Sequence, residues 1–152
     1  KIELEVLGSN LYLDIKTTSI LKDSIMHIVQ NSCDHGIKEE GVIKVELLEK
    51  ENEYLFNISD NGNGVELNKI KQSAIEKRIV NQSEIDNLTD HQILSLIMRP
   101  GFSTKKVATE YSGRGVGLDV VQTNIQKLGG SLSINSILGK GTSFKISLPK
   151  LK

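Results

Sequence analysis

The chain has 152 residues, 38% of them hydrophobic and 25% charged, a length and balance that predict one domain with a packed core and exclude a disordered chain. Lys plus Arg and Asp plus Glu are 19 each, for a net charge of zero, which excludes the basic excess of a general nucleic-acid or membrane-surface binder. No apolar run approaches the roughly 18 residues of a membrane span, and acidic residues break up Lys1–Val6 as a signal peptide.

Along the chain, Ile2-Glu3-Leu4-Glu5-Val6 alternates apolar and charged residues and predicts a half-buried strand. Leu11-Tyr12-Leu13-Asp14-Ile15 suggests a second short strand after a turn at Gly8-Ser9-Asn10. From Ile20 the period becomes helical through Leu21, Ile25, Ile28 and Val29, with Ser19 as the expected N-cap and an end at His35-Gly36. Alternation returns at Ile43, Val45 and Leu47 and again at Tyr54, Phe56 and Ile58, a hairpin around the polar Glu49–Glu53. Asp60-Asn61-Gly62-Asn63-Gly64 interrupts it. Helices are then expected around Leu67–Ile75 and from Ser83 to Met98, the second ended by Pro100-Gly101. Phe102–Gly117 has little periodicity. A last helix runs from Leu118 to Leu128, and strands at Leu132/Ile134 and Phe144/Ile146/Leu148 flank the turn at Leu138-Gly139-Lys140-Gly141. The expected architecture is an α+β fold, a two-layer α/β sandwich of about five strands and three or four helices.

Eight of the 13 glycines fall between Gly101 and Gly141, which points to tight turns or to backbone approaching a ligand. Aromatics are only 4%, with no tryptophan, so stacking platforms for single-stranded nucleic acid are poorly supplied. The only cysteine, Cys33, excludes an internal disulfide and a cysteine-based zinc site, and predicts a reducing, cytoplasmic setting.

Three clusters carry chemistry. On the first helix, His27, Asn31, Asp34 and His35 recur at helical spacing beside the apolar stripe. Asn31 offers an amide oxygen to a hard cation such as Mg²⁺, and a His one turn away can accept a proton. A solvated face with a His at the helix C-terminus accounts for the same pattern. Asp60-x-Gly62-x-Gly64 follows a strand: a carboxylate fixed there can accept from an exocyclic amine, and glycines let a flat ring approach, but an ordinary Asn-Gly turn also fits. Gly113-Arg114-Gly115-Val116-Gly117, before the helix at Leu118, offers amides and a helix N-terminus to phosphates, or is a flexible glycine loop. It is neither a Rossmann fingerprint nor a Walker A loop, because the glycine spacing differs from the first and no Gly-Lys-Ser/Thr follows. His91 reads as an exposed surface residue and Cys33 as a buried small one.

In order, His27-x-x-x-Asn31, Asp60-x-Gly62-x-Gly64, Gly101-Phe102-Ser103-Thr104, Gly113-x-Gly115-x-Gly117 and Gly141-Thr142 resemble the ATP-binding module of the GHKL superfamily, and most closely the catalytic domain of CheA-like histidine kinases. Asn31-Ser32-Cys33-Asp34-His35-Gly36-Ile37 and Ser112–Val121 carry the same likeness, which covers residues 1–152 as a single catalytic domain of a larger kinase. The chain departs from the CheA pattern at Gln30, where a basic residue is common, and in the short Lys38-Glu39-Glu40 connection. A chemotaxis pathway and another signalling pathway therefore both stay open.

The resemblance implies a Bergerat-type ATP-binding fold, a mixed sheet with helices on one face, and ATP and Mg²⁺ as ligands. It implies that Asn31 holds the metal and that His27 activates the nucleophile. Asp60 would accept from the adenine amine, with Gly62 and Gly64 at the ring and Thr142 assisting through water. His35, Lys69, Ser103, Thr104 and the glycines Gly113, Gly115 and Gly117 would lie on the phosphate side, Arg114 would either touch phosphate or support the lid over residues 77–112, and Asp34, Val116 and Leu118 would also belong to the nucleotide site. Its partners would be a phosphoacceptor histidine domain in cis or in trans, a downstream response regulator and a coupling protein or receptor, with no nucleic acid and no membrane contact. A GHKL ATPase used as a conformational switch, and a module that has lost catalysis, are the competing expectations. His27 in place of the Glu of the hydrolysing members weighs against the first.

Overall fold

A computed structural model describes residues 1–8, 11–37, 39–102 and 117–150, with His35 and Gly36 described for their backbone only. Strand β1 (Ile2–Leu7) leads into helix α1 (Ile15–Asn31), which passes directly into a π-helical turn over Ser32–Gly36. The hairpin β2 (Gly41–Glu49) and β3 (Glu53–Asp60) follows, then helices α2 (Leu67–Glu76), α3 (Gln82–Asp86) and α4 (Asp90–Ser95) and a 3₁₀ turn over Leu96–Met98. Helix α5 (Leu118–Lys127) and the hairpin β4 (Ser131–Ile137) and β5 (Gly141–Pro149) complete the described fold.

The five strands form one sheet in the order β1-β2-β3-β5-β4. β1 runs parallel to β2 and every other pairing is antiparallel, so the sheet is mixed as expected. Register aligns Val45, Ile58, Phe144 and Ile134 across four strands, with Leu47, Phe56, Ile146 and Leu132 in the next row. Side chains two apart on a strand share a face, so these rows make one apolar face. They join Leu21 and Ile28 of α1, Ile70 and Ala74 of α2, Ile93 and Leu94 of α4, and Val121 and Ile125 of α5 in a single core. The helices thus cover one face of the sheet, the two-layer arrangement that the sequence predicts.

Three expectations about the elements are corrected. β1 forms as expected, but all six of its residues are exposed rather than half-buried. Residues 11–14 form no strand, and α1 begins at Ile15 rather than Ile20. Asp14 caps it instead of Ser19: its carboxylate accepts from the Thr17 amide at 2.7 Å and from the Thr17 hydroxyl at 3.1 Å. A strong N-cap three residues before Thr17 outweighs the local alternation, although Leu11 and Leu13 still pack against the core. The single helix expected over Ser83–Met98 is also divided. Asn81 and Thr89 each build a complete capping box, with Glu84 and Gln92 answering from the third helical position. Two helix starts eight residues apart cannot belong to one helix.

Candidate nucleotide site

His27 and Asn31 stand one turn apart on the last two turns of α1, both half-buried. The π-helical turn begins with the residue after Asn31. Its wider spacing shifts the phase of the residues beyond it, so the 3.6-residue period that groups His27 with Asn31 does not extend to Asp34. Asp34 is exposed and accepts from the Gln30 carboxamide at 2.8 Å. His35 has its backbone in the same turn. The Asn31 carboxamide makes no hydrogen bond among the described residues, and it is therefore available to a ligand. Burial pushes the Cys33 thiol above its ordinary pKa, and the neighbouring Asp34 charge adds to the effect.

The turn ends at Ile37, whose amide bonds to the Ser32 carbonyl at 3.0 Å. Ile37 then packs on Gly41 so closely that a Cβ there would lie 2.8 Å from two Ile37 carbons and 2.9 Å from Asn61 Oδ1. Asn61 Oδ1 in turn accepts from the Val42 amide at 2.8 Å. The start of β2 is thus where the Asn31–Ile37 segment and the Asp60–Gly64 segment meet.

Asp60 is the last residue of β3 and is half-buried. Its Oδ1 accepts from the Gly62 amide at 2.9 Å and from the Thr142 amide at 3.3 Å. Its second oxygen has no partner among the described residues. Two backbone donors therefore orient the carboxylate through one oxygen and leave the other to accept from a ligand. Thr142 also shares a 2.9 Å hydroxyl contact with Ser136 of β4.

The loop after Asp60 is fastened to the β4–β5 turn at two further points. The Ser136 hydroxyl accepts from the Val65 amide at 2.8 Å, and the Asn63 carbonyl accepts from the Gly139 amide at 2.7 Å. Ser136 and Asn63 carry no motif, so the sequence gives no sign of this role; only the pairing of Ser136 with Thr142 in the β4–β5 register exposes it. Gly64, read from the sequence as room for a flat ring, has a nearer constraint. Its φ is +75°, and a Cβ there would lie 2.4 Å from the Ile137 carbonyl oxygen.

Lys69 lies exposed near the start of α2, 3.6 Å from Glu66. Gly117 is buried and precedes the first turn of α5, which opens with the buried Leu118. Lys77, just past the end of α2, donates to the Phe102 carbonyl and lies over the Phe102 ring. Ser103, Thr104, Gly113, Arg114, Gly115 and Val116 lie outside the described residues, as does the later part of the expected lid.

Of the expected ligands, a purine amine suits the open oxygen of Asp60, and a hard divalent cation suits the unpartnered amide oxygen of Asn31. Among the described residues no group of three or more His, Cys, Asp and Glu could hold a metal. Such an ion would depend on Asn31 together with the phosphates.

A two-layer sandwich with a mixed sheet, carrying an amide-bearing helix end beside a strand-end carboxylate, defines the class of ATP-binding domains that this chain falls in. The chain belongs to the histidine kinase-, DNA gyrase B- and HSP90-like ATPase family, whose profile it matches over residues 20–152. It is 38% identical over 97% of its length to the sensor histidine kinase CheAY of Helicobacter pylori, and 37% identical over 98% to the chemotaxis protein CheA of Bacillus subtilis. It spans 20% and 24% of those proteins. A gliding motility regulatory protein of Myxococcus xanthus is 30% identical over 99% of the chain and 21% of its own length. Among solved structures, the histidine kinase domain of the Erythrobacter litoralis blue-light activated kinase matches 97% of this chain and 54% of its own, with a TM-score of 0.59 at 14% identity. The mycobacterial sensor histidine kinase MprB matches 97% and 81%, with a TM-score of 0.56 at 20% identity. Both share the fold. Among the described residues no helix is long and apolar enough to cross a membrane.

Proposed function

We propose that residues 1–152 are the catalytic domain of a larger, cytoplasmic CheA-like kinase, and that with Mg²⁺ the domain transfers the γ-phosphoryl group of ATP to a histidine on a separate acceptor domain. The arrangement that carries this reading is the Asp60 carboxylate, tied through Oδ1 to Gly62 and Thr142 and, among the described residues, open at Oδ2. The likeness to CheA proteins over nearly the whole chain supports the choice of a histidine kinase over a hydrolysing member of the family.

In this reading Asp60 accepts from the adenine amino group, and Thr142 adds a contact through water. Phosphoryl transfer asks the protein for positioning and charge stabilisation more than for covalent chemistry. Asn31 supplies an amide oxygen to Mg²⁺, which when bound neutralises phosphate charge. His27, one turn earlier, takes the proton of the attacking imidazole. His35, Lys69, Ser103, Thr104 and the Gly113–Leu118 segment orient the phosphates, and Asp34 belongs to the same site without contacting them. The acceptor histidine resides elsewhere in the same protein or on a partner, and a response regulator takes the phosphoryl group from it.

The test incubates the chain with γ-labelled ATP, Mg²⁺ and the phosphoacceptor domain of a CheA relative. Acid-labile, base-stable label on the acceptor is the expected result. Release of free phosphate without labelled acceptor would favour an ATPase that uses nucleotide as a conformational switch.

A further inference from the structure

Strand β4 is an outer strand of the sheet, paired on one side with β5. Among the described residues no backbone hydrogen bond from another element reaches its other side. Exposed strand edges are usually guarded by charged side chains or proline against pairing with other chains. The opposite edge, β1, carries Glu3 and Glu5. β4 reads Ser-Leu-Ser-Ile-Asn-Ser-Ile, with no charge and no proline.

An open groove of about 360 Å³ adjoins this strand, between α4, the residues after the 3₁₀ turn, and α5. Met98 and Leu132 give it an apolar floor, and Arg99, His91, Gln122 and Ser133 surround that floor. Among the described residues no Asp or Glu lines it. The side chains of Arg99, His91, Gln122 and Ser133 have no hydrogen bond or ion pair among the described residues. Among the described residues, an unpaired strand edge and a cationic groove without a carboxylate thus occupy the same place. Leu132 lies four residues along β4 from Ser136, roughly 13 Å at the usual rise of a strand, so the groove is separate from the Asp60–Thr142 contacts.

We propose that the β4 edge and its groove bind an extended peptide segment bearing an acidic side chain. The peptide backbone adds a strand to β4, and its carboxylate pairs with the Arg99 guanidinium. Backbone pairing supplies affinity that is largely independent of sequence, while the groove selects the side chain. A planar guanidinium meets a carboxylate through two parallel hydrogen bonds, which favours Glu or Asp over a neutral residue.

The test titrates the chain into a fluorescein-labelled heptapeptide alternating valine and glutamate, with the lysine counterpart as control, and follows anisotropy. Saturable binding of the glutamate peptide is expected, weakened about tenfold or more by Arg99→Glu or by lysine in the peptide. Ser133→Glu puts a carboxylate on the strand edge beside the groove and should abolish binding of the glutamate peptide while nucleotide affinity is unchanged. Hydrogen exchange supplies a readout that does not depend on a variant: the glutamate peptide should slow exchange of the outward-facing amides of β4, those of Leu132 and Ile134. Equal binding of the two peptides, indifference to Arg99→Glu, or no saturation would overturn the proposal. So would concentration-dependent dimerisation of the chain that Ser133→Glu removes, because the occupant would then be a second copy.

Discussion

Gly141 lies directly against the backbone of Asp60: a Cβ on Gly141 would be 2.0 Å from the Asp60 carbonyl oxygen and 2.9 Å from its carbonyl carbon. The contact joins the first residue of β5 to the last residue of β3, and the next residue, Thr142, sends its amide to the Asp60 carboxylate. The carboxylate is therefore aimed by a strand pair together with its own loop, which contributes the Gly62 amide.

Gly141→Ala should accordingly damage stability and nucleotide binding together. Its φ of +129° is a conformation that L side chains rarely adopt, and the clash is with backbone, which cannot rotate away. A cost of about 2–4 kcal/mol is expected from the strain and displacement combined. Urea denaturation would measure it, and calorimetry with a non-hydrolysable ATP analogue should show weaker binding in the fraction that stays folded.

Asp60→Asn separates the two functions of that carboxylate. Asn keeps an oxygen for the Gly62 and Thr142 amides but replaces the other acceptor with an NH₂ donor. Stability should change little, while affinity for the ATP analogue falls by roughly 10–100-fold, the range for a lost hydrogen bond to a charged group. Asp60→Ala should lose both. Unchanged affinity of the Asn variant would refute the adenine assignment.

The fold was legible where pattern and structure share a period. The β2–β3 and β4–β5 hairpins, α2 and α5 stand where alternation or helical spacing puts them. The errors come from end chemistry that periodicity does not register. Asp14 starts α1 early, and the capping boxes at Asn81 and Thr89 divide one expected helix. The site was legible as a set of residue types but not as a geometry. Asp60 stands out as a carboxylate at a strand end, whereas its Thr142 partner is 82 positions away, and Ser136 becomes visible only through register. The π-helical turn after Asn31 likewise has no composition signal, and it changes which side chains share a face with His27.

Asn31→Ala should affect metal-dependent binding selectively. The Asn31 side chain is half-buried and makes no hydrogen bond among the described residues, so truncation leaves no protein group unpaired. The melting midpoint should move little. Affinity for the ATP analogue in Mg²⁺ should fall at least about tenfold, the low end for disrupted metal sites. In EDTA the parent and the variant should bind alike. Calorimetry under both conditions checks the difference.

Ser136→Ala tests the clamp behind the site. The hydroxyl accepts from the Val65 amide at 2.8 Å, donates to the Gly141 carbonyl at 3.2 Å and meets Thr142 Oγ1 at 2.9 Å. Its removal leaves a part-buried amide and carbonyl without this partner, at a cost of about 1–3 kcal/mol. Amides of residues 61–65 should exchange faster with solvent, and nucleotide affinity should drop less than for Asp60→Asn. Ser136→Thr, which restores the hydroxyl, should recover the protection of the Val65 amide.

Cys33 supplies a pH signature of the helix end next to Asn31. Burial and the Asp34 charge raise its folded-state pKa, so the folded protein holds the thiol proton more tightly than the unfolded chain. Linkage gives the sign: the contribution to stability is fully present below the thiol's unfolded pKa, about 8.5, and is lost as pH rises through the folded value. The stability difference between the parent and Cys33→Ala should therefore narrow from about pH 7 to about pH 10, as read from urea midpoints. Alkylation by iodoacetamide should keep the same order, with the folded chain reacting more slowly than the urea-unfolded chain near the ordinary thiol pKa, because the thiolate is the reacting species. A folded-state rate equal to the unfolded one would show that the Asn31–Ile37 turn does not shield the sulfur.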